Sequence, residues 1–405
     1  MLVDDLKKAF REKYNTDPEF VVRCPGRVNL IGEHIDYSHY SVLPMAIQAS
    51  TFILAAKSEK NQIHFFNLDK KFKEYTHEIT KEMWPGTTHP EWYEYFLAGW
   101  RGVLERLSID IASSKGMNLL VYGTIPPASG VSSSSALVCA AALTTIAMQT
   151  GKSFEVVSRS ELAEMTAKTE KYVGTEGGGM DQAIECLAEK GIALRIDFHP
   201  LKWTPVTLPP NALFAVLHCG VTMNKGATSY YNQRVVECRI AAQIMAKKNG
   251  VKNWKEVRTL RDLARLLGNL TPDQMVIEVE KRLEKPADQF YDRKEILQAL
   301  ETNEQDFIQY SLNDKTRDAQ EFWIKKRALH VYSEAARVFH FEEACRQGNT
   351  VELGKLMKES HTSCRDLFEC SCPELDETVE KCLKAGCLGA RLTGAGWAER
   401  AAVLE

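Results

Sequence analysis

The sequence predicts an α+β protein of two domains, on three observations. At 405 residues the chain exceeds what one ordinary hydrophobic core covers. Its first half alternates short β-forming runs with helical patterns, whereas from about residue 228 to 385 it reads as long, charged amphipathic helices. Between them, residues 199–211, "HPLKWTPVTLPPN", hold four of the fourteen prolines, and such a cluster marks a boundary. The domains expected are therefore 1–209 and 210–405.

Taken in order, "MLVDDLKKAFREKY" has the charge pattern of an amphipathic helix over about 2–14. "EFVVRC", "STFILAAKS" and "QIHFFNL" follow as candidate strands. A helix is expected from Trp92 to Leu107, then the strand "MNLLVYG" at 117–123. A loop of Pro, Gly and Ser runs into an apolar helix from Ala136. Another helix over about 160–172 ends in "GTEGGG", and Asp181 opens a further short one. "GIALRIDF" (191–198) and "ALFAVLHC" (212–219) read as strands on either side of the proline cluster.

Composition excludes several classes. Hydrophobic residues at 44% and charged residues at 26% are ordinary globular values, which rules out wholesale disorder. The formal charge of −3 argues against a nucleic-acid surface. The N-terminal segment lacks the apolar stretch of a signal peptide. The longest mostly apolar run, 136–148, is too short to span a bilayer. Eleven cysteines without a secretion signal suggest reduced thiols and a cytoplasmic location, with no membrane association.

Three loops are candidates for chemistry. "RCPGRVNLIGEHIDY" (23–37) crowds Arg23, Arg27, Asn29, Glu33, His34 and Asp36 into one strand-turn. "GTIPPASGVSSSSALVC" (123–139) runs strand, Gly/Ser loop, apolar helix, an order that aims free N–H groups at an anion. A serine hydroxyl there also suits Mg²⁺, which prefers oxygen ligands. The Walker alternative fails, because "GKS" at 151–153 has Ile146 where that loop needs glycine. In "EKYVGTEGGGMDQ" (170–182) the glycines permit close approach to a ligand. Taken singly, Asp181 also reads as a helix cap, Arg27 as a structural ion pair and Glu33-His34 as a polar turn.

Together these stretches resemble the galactokinase branch of the GHMP small-molecule kinases. "PGRVNLIGEHIDY" resembles the sugar signature, with Ile35 where Thr is usual. "PPASGVSSSSA" resembles the second family motif, with Val131 in place of Leu. "GGGMDQ", "SCPELD" (371–376) and "RLTGAGW" (391–397) complete the series, in family order from residue 20 to 397. Within the branch, "GEHIDY…YSVLPMA" and "GTEGGGMDQ" are closest to the members that phosphorylate N-acetylgalactosamine.

The resemblance implies a two-domain fold, each domain a mixed or antiparallel sheet packed with helices, with the active site in the cleft. It implies ATP-dependent phosphorylation of the anomeric 1-hydroxyl of N-acetylgalactosamine, with galactose as the alternative acceptor, by a monomer. Asp181 would be the base or orienting group, and Arg27 would lie between it and the γ-phosphoryl group. Arg27, Glu33, His34, Asp36, Asp181 and Tyr231 would bind the sugar. Gly130, Ser132, Ser133, Ser134, Asn224 and Lys225 would contact the nucleotide, with Trp92 and Tyr95 flanking adenine. Ser134 and Glu170 would hold Mg²⁺. Trp92 alone reads equally as packing, and Lys225 alone as surface.

Cys364, Cys370 and Cys372 lack the paired C-x2-C spacing of a zinc site, and the resemblance accounts for that segment without a metal. After Trp397 only eight residues follow, about fifty fewer than the family pattern carries, judged by analogy. An unpaired sheet edge, exposed apolar surface and an unsupported turn at 394–396 are expected in consequence. A catalytically silent sugar and nucleotide sensor is the reading of another class. The intact "SSSSA", Arg27 and Asp181 weigh toward catalysis, and "GEHIDY" weighs against mevalonate or homoserine as acceptor.

Overall fold

The computed structural model describes residues 3–126, 130–174, 177–221, 229–397 and 400–405. It divides into two units, residues 1–27 with 45–190, and residues 28–44 with 191–405. Residues 191–209, placed with the first domain on sequence, lie with the second unit, and so does the excursion 28–44.

The first unit is built on a five-stranded mixed sheet, order β1-β2-β5-β3-β4. Its strands are β1 (Phe20–Ile31), β2 (Leu43–Lys57), β3 (Gln62–Asn67), β4 (Tyr75–Glu78) and β5 (Met117–Gly123). β2 runs antiparallel to β5, with Ile53 opposite Val121, and β3 runs parallel to β5. The first helix, α1 (Val3–Tyr14), lays Leu6 and Phe10 against Leu54, Ala56 and Leu120 of the sheet. This is the stripe that a short amphipathic helix buries.

Helices α2 (Trp92–Leu107), α3 (Ser133–Thr150), α4 (Arg159–Thr169) and α5 (Met180–Leu187) complete the unit. Ser158 starts α4 by accepting from Glu161 N, while the Glu161 side chain returns to the Ser158 backbone. α3 extends beyond the apolar run at 136–148 and, among the described residues, is the one helix apolar and long enough to cross a bilayer. It is 72% buried within the fold, and Ala140, Ala141 and Ala142 sit at its core. It is a core helix.

The second unit is mostly helical. It holds α6 (Ser229–Lys248), α7 (Leu260–Leu266), α8 (Pro272–Arg282), α9 (Arg293–Leu300), α10 (Glu304–Ser311), α11 (Ile324–Gln347), α12 (Thr350–Ser363) and α13 (Pro373–Lys384). β6 (Ala193–Asp197) and β7 (Lys202–Val206) form one antiparallel pair, and the two-residue β9 (Tyr291–Asp292) and β10 (Glu321–Phe322) another. β7 was missed on sequence because Pro205 argues against a strand. It is tolerated opposite Leu194 in a two-stranded ladder, where a missing N–H costs little.

A three-stranded antiparallel sheet orders β11 (Gly389–Thr393), β12 (Arg400–Leu404) and β8 (Phe214–His218), with β12 in the middle. "RAAVL" therefore supplies a central strand, where the sequence reading had expected one to be lacking. Ala401 and Val403 on β12 pack with Ala390 and with Val379 of α13. β8 lies at the edge of this sheet, with Leu217 40% exposed.

Candidate active site

Arg27 stands on β1, and its side chain is 1% exposed. Its Nε donates to Asp181 Oδ1 at 2.8 Å and its Nη2 to Asp181 Oδ2 at 3.2 Å, a two-pronged pair. A third donor, Nη1, reaches the Gly130 carbonyl. Asp181 occupies the first turn of α5, where the helix dipole favours a negative charge. Its side chain keeps 20% exposure, so the carboxylate is oriented without being sealed in.

Ser132 joins the same group. It sits in the left-handed region (φ 62°) just before α3, and its hydroxyl donates to Asp181 Oδ2 at 2.5 Å. Its side chain makes no cap to α3, so it leaves uncapped the first-turn N–H groups of that helix, which begins at Ser133 and Ser134, both half-buried. Gly26 makes this packing feasible. A Cβ there would stand 2.6 Å from the Val131 carbonyl, and Arg27 N donates to that same carbonyl at 3.3 Å.

Glu170 follows α4 in a short 3-10 turn and is 8% exposed. A Cβ on Gly177 would come within 3.2 Å of Glu170 Oε2, so glycine leaves space for an ion beside that oxygen. A carboxylate and the Ser134 hydroxyl are the hard oxygen donors that Mg²⁺ takes. Tyr95 of α2 adjoins this carboxylate. Burial raises its phenol pKa, and the charges of Glu170 and Glu94 add to the rise. Trp92 instead packs among aromatics, 6.0 Å from the Phe65 ring and 5.9 Å from Phe72, and donates Nε1–H to the Lys73 carbonyl.

The remaining polar residues of the first motif lie in the second unit. Glu33 is 2% exposed, and its Oε2 accepts from Arg391 Nη2 at 2.9 Å. Its carbonyl accepts from His330 Nε2, and the N–H groups of Gly32 and Glu33 donate to Glu334 Oε1. Arg337 and Arg391 hold the Glu334 carboxyl down to about 2, against burial that would raise it. Glu33 is thus part of a buried ionic frame, where the sequence reading had offered a sugar hydroxyl or a polar turn. Arg391, Glu334 and His330 were missed, since an arginine in "ARLTG" and a His and Glu four apart on a charged helix, some 300 residues from Glu33, carry no local signal.

His34 (φ 59°) donates Nε2–H to the Ala395 carbonyl at 2.8 Å, so its Nδ1 accepts from the Tyr37 hydroxyl at 3.2 Å. The ring stacks on Phe368 at 4.8 Å and lies 6.0 Å from Tyr231. The turn at 394–396 is held further by Trp397, whose Nε1–H donates to the Glu369 carbonyl at 3.0 Å. That support is the reverse of the expected loss, and it comes from residues 369–370 and His34. Asp36 opens a 3-10 turn and is half-buried. Asn224 and Lys225 lie outside the described residues.

The structure therefore gathers Arg27, Asp181, Ser132 and Gly130 in the first unit, and His34, Tyr37 and Tyr231 in the second. Family models match in the same order along the chain. They are a galactokinase galactose-binding signature over 8–57, the N-terminal domain of GHMP kinases over 94–189 and the C-terminal domain of GHMP kinases over 341–397. A galactokinase of Dictyostelium discoideum is 39% identical over 97% of this chain and 82% of its own length. One from Saccharomyces cerevisiae is 34% identical over 96% and 83%. The crystal structure of Lactococcus lactis galactokinase complexed with galactose superposes with a TM-score of 0.76 at 25% identity, covering all of this chain and 90% of that one. Methanococcus jannaschii mevalonate kinase shares the fold at a TM-score of 0.57 and 16% identity, over 95% of this chain and 90% of its own. On these matches the chain belongs to the galactokinase branch of the GHMP kinases, ATP-dependent enzymes that transfer phosphate to a hydroxyl group.

Proposed function

We propose that the chain transfers the γ-phosphoryl group of ATP to the anomeric 1-hydroxyl of galactose, giving galactose 1-phosphate and ADP. The observation that carries this reading is the Arg27–Asp181 pair beside the uncapped start of α3. The signature over 8–57 and the galactokinase names of the relatives support galactose. The wording of "GEHIDY" and "GTEGGGMDQ" favours N-acetylgalactosamine, which stands as the second acceptor.

Phosphoryl transfer asks little covalent chemistry of the protein, and positioning with charge stabilisation does most of the catalysis. Asp181 accepts or orients the proton of the 1-hydroxyl. Arg27 keeps that carboxylate ionised and offsets negative charge gathering on the transferred group. The N–H groups and hydroxyls at Ser133 and Ser134, with Gly130 and Ser132, receive the nucleotide phosphates. Ser134 and Glu170 would hold Mg²⁺, which supplies charge neutralisation between the phosphate oxygens when bound. Tyr95 and Trp92 are assigned to adenine, and Asn224 and Lys225 to the nucleotide. Glu33, His34, Asp36 and Tyr231 are assigned to the sugar hydroxyls, Glu33 through its ion pair with Arg391.

The test is ADP release by the purified 405-residue chain with Mg·ATP, offering galactose and N-acetylgalactosamine separately. Faster turnover on galactose is expected. Faster turnover on the acetamido sugar would make that the substrate. No turnover on either, from a folded chain that still binds ATP, would overturn the kinase reading in favour of a sensor.

A further inference from the structure

Behind the Arg27–Asp181 pair lies a second cluster, which the reaction above does not use. Glu185 stands one turn after Asp181 on α5 and is 5% exposed. Its Oε1 accepts from the Ser135 hydroxyl at 3.0 Å, while Oε2 is buried with no hydrogen-bond partner. Cys24 of β1 and Cys139 of α3 reach the same spot. Their sulfurs and a Glu185 carboxylate oxygen all lie within 4.8 Å of one another. The Cys139 thiol donates to the Thr166 hydroxyl at 3.4 Å.

Buried thiols alone need no explanation, because cysteine packs as a small apolar residue. Glu185 is different. A carboxylate with one oxygen unpaired in the interior is costly and calls for a cause. Burial pushes its pKa well up, and charge on Cys139 and Asp181 would push it further. A cation between the three side chains would pair that oxygen. Tetrahedral zinc, with Zn–S near 2.3 Å and Zn–O near 2.1 Å, sets its ligands roughly 3.5–3.8 Å apart. The observed grouping, within 4.8 Å, closes by up to about 1 Å to match.

We propose that Cys24, Cys139 and Glu185 form a three-ligand site for a thiophilic divalent cation, Zn²⁺, beneath the aspartate-bearing helix, with water as the fourth ligand. Each thiol, and the Glu185 carboxyl, loses its proton to solvent as its bond to Zn²⁺ forms, so that Glu185 ligates as the carboxylate. The Thr166 hydroxyl then turns to donate to the Cys139 thiolate, an outer-shell contact of the kind that steadies a ligand. Ligation draws Glu185 away from Ser135 at the head of α3. It also shifts α5, which carries Asp181. Occupancy therefore slows phosphoryl transfer, a consequence that rests on the kinase reading, whereas binding itself does not.

The test uses the full chain, reduced and metal-free, equilibrated for long periods because the ligands are buried. Zn²⁺ is titrated against a chromophoric chelator, with proton release followed in weak buffer, and Co²⁺ is used as a spectroscopic substitute. One tight equivalent of Zn²⁺ is expected, with tetrahedral d–d bands and thiolate-to-Co²⁺ charge transfer. Cys139→Ala should weaken binding by more than the roughly 10–100-fold typical of losing an outer-shell group. Cys24→Ala serves the same purpose if that variant does not fold, and Cys387→Ala, in the second unit, should bind as wild type. Absence of a tight equivalent, a Co²⁺ spectrum without thiolate bands, or binding undiminished in both Cys139→Ala and Cys24→Ala would overturn the site. Tight Zn²⁺ binding by a chain with no sugar kinase activity would uphold the site and reject the function instead.

Discussion

Asp181 is held on two sides, by the Arg27 guanidinium and by the Ser132 hydroxyl. Both contacts favour the ionised carboxylate, which is the form able to take a proton. Asp181→Ala should lower kcat by about 10²–10⁴-fold, the usual worth of a positioned base. ATP affinity should change little, because Asp181 is not among the groups proposed to hold the nucleotide. Steady-state kinetics beside nucleotide titration checks this, and retained turnover would remove Asp181 from the mechanism. Arg27→Lys should also be costly, since an ammonium cannot make the two-pronged contact together with the bond to Gly130. Rates measured at saturating sugar and ATP would show a loss in kcat rather than in KM.

At the scale of elements, the close passage of β1 beneath the serine loop is the sensitive feature. Gly26→Ala would set a Cβ 2.6 Å from the Val131 carbonyl, so the turn at 130–132 must move. Its hydroxyl contact to Asp181 would move with it. We expect a fold that survives, with thermal unfolding near wild type and kcat reduced at least about tenfold, a loss of some 1.4 kcal/mol in transition-state stabilisation. Unchanged kcat would show that the loop relaxes freely. This passage was not legible beforehand, although both stretches it joins were. Trp92–Leu107, Met117–Gly123 and Met180–Leu187 could be read because periodicity and turn residues are local signals. β7, with its internal proline, and β12, a five-residue strand with two alanines, carry weak local signals and exist through their neighbours. The same division holds at the site. Arg27, Asp181 and the serines announced themselves by motif. Arg391 and His330 became visible only when a strand and a helix far along the chain were seen to enclose Glu33.

Across the whole molecule, buried histidine makes stability depend on pH. His330 donates Nε2–H to the Glu33 carbonyl and lies 2.8 Å from the Ser363 hydroxyl at Nδ1, so the neutral ring is fully satisfied. Burial lowers its pKa from 6.5 to about 4. The unfolded chain therefore binds this proton more readily than the folded one between those values. The stabilisation is complete above about pH 6.5 and is lost as the pH falls toward 4, by roughly 3 kcal/mol in all. Denaturant titrations across that window should show the loss, and His330→Gln should reduce the slope. An identical slope in the variant would assign the effect to other groups, His361 and His39 among them, whose pKa values burial also lowers to about 4.

The excursion of residues 28–44 into the second unit sets a timetable for the chain as it is made. Glu33 leaves the ribosome 358 positions before Arg391, and Asn29 precedes Thr393, to which it donates, by 364. At about 5–20 residues per second, that is a wait of roughly 20–70 s. For all that time a nascent loop carries a carboxylate and the His34 ring without the arginine, the carbonyl or the aromatic stack that will enclose them. β1 can meanwhile settle at its leading end, beside β2, while its trailing end stays unclaimed. The sugar signature is translated hundreds of residues before the groups that enclose it, and is finished only once they arrive.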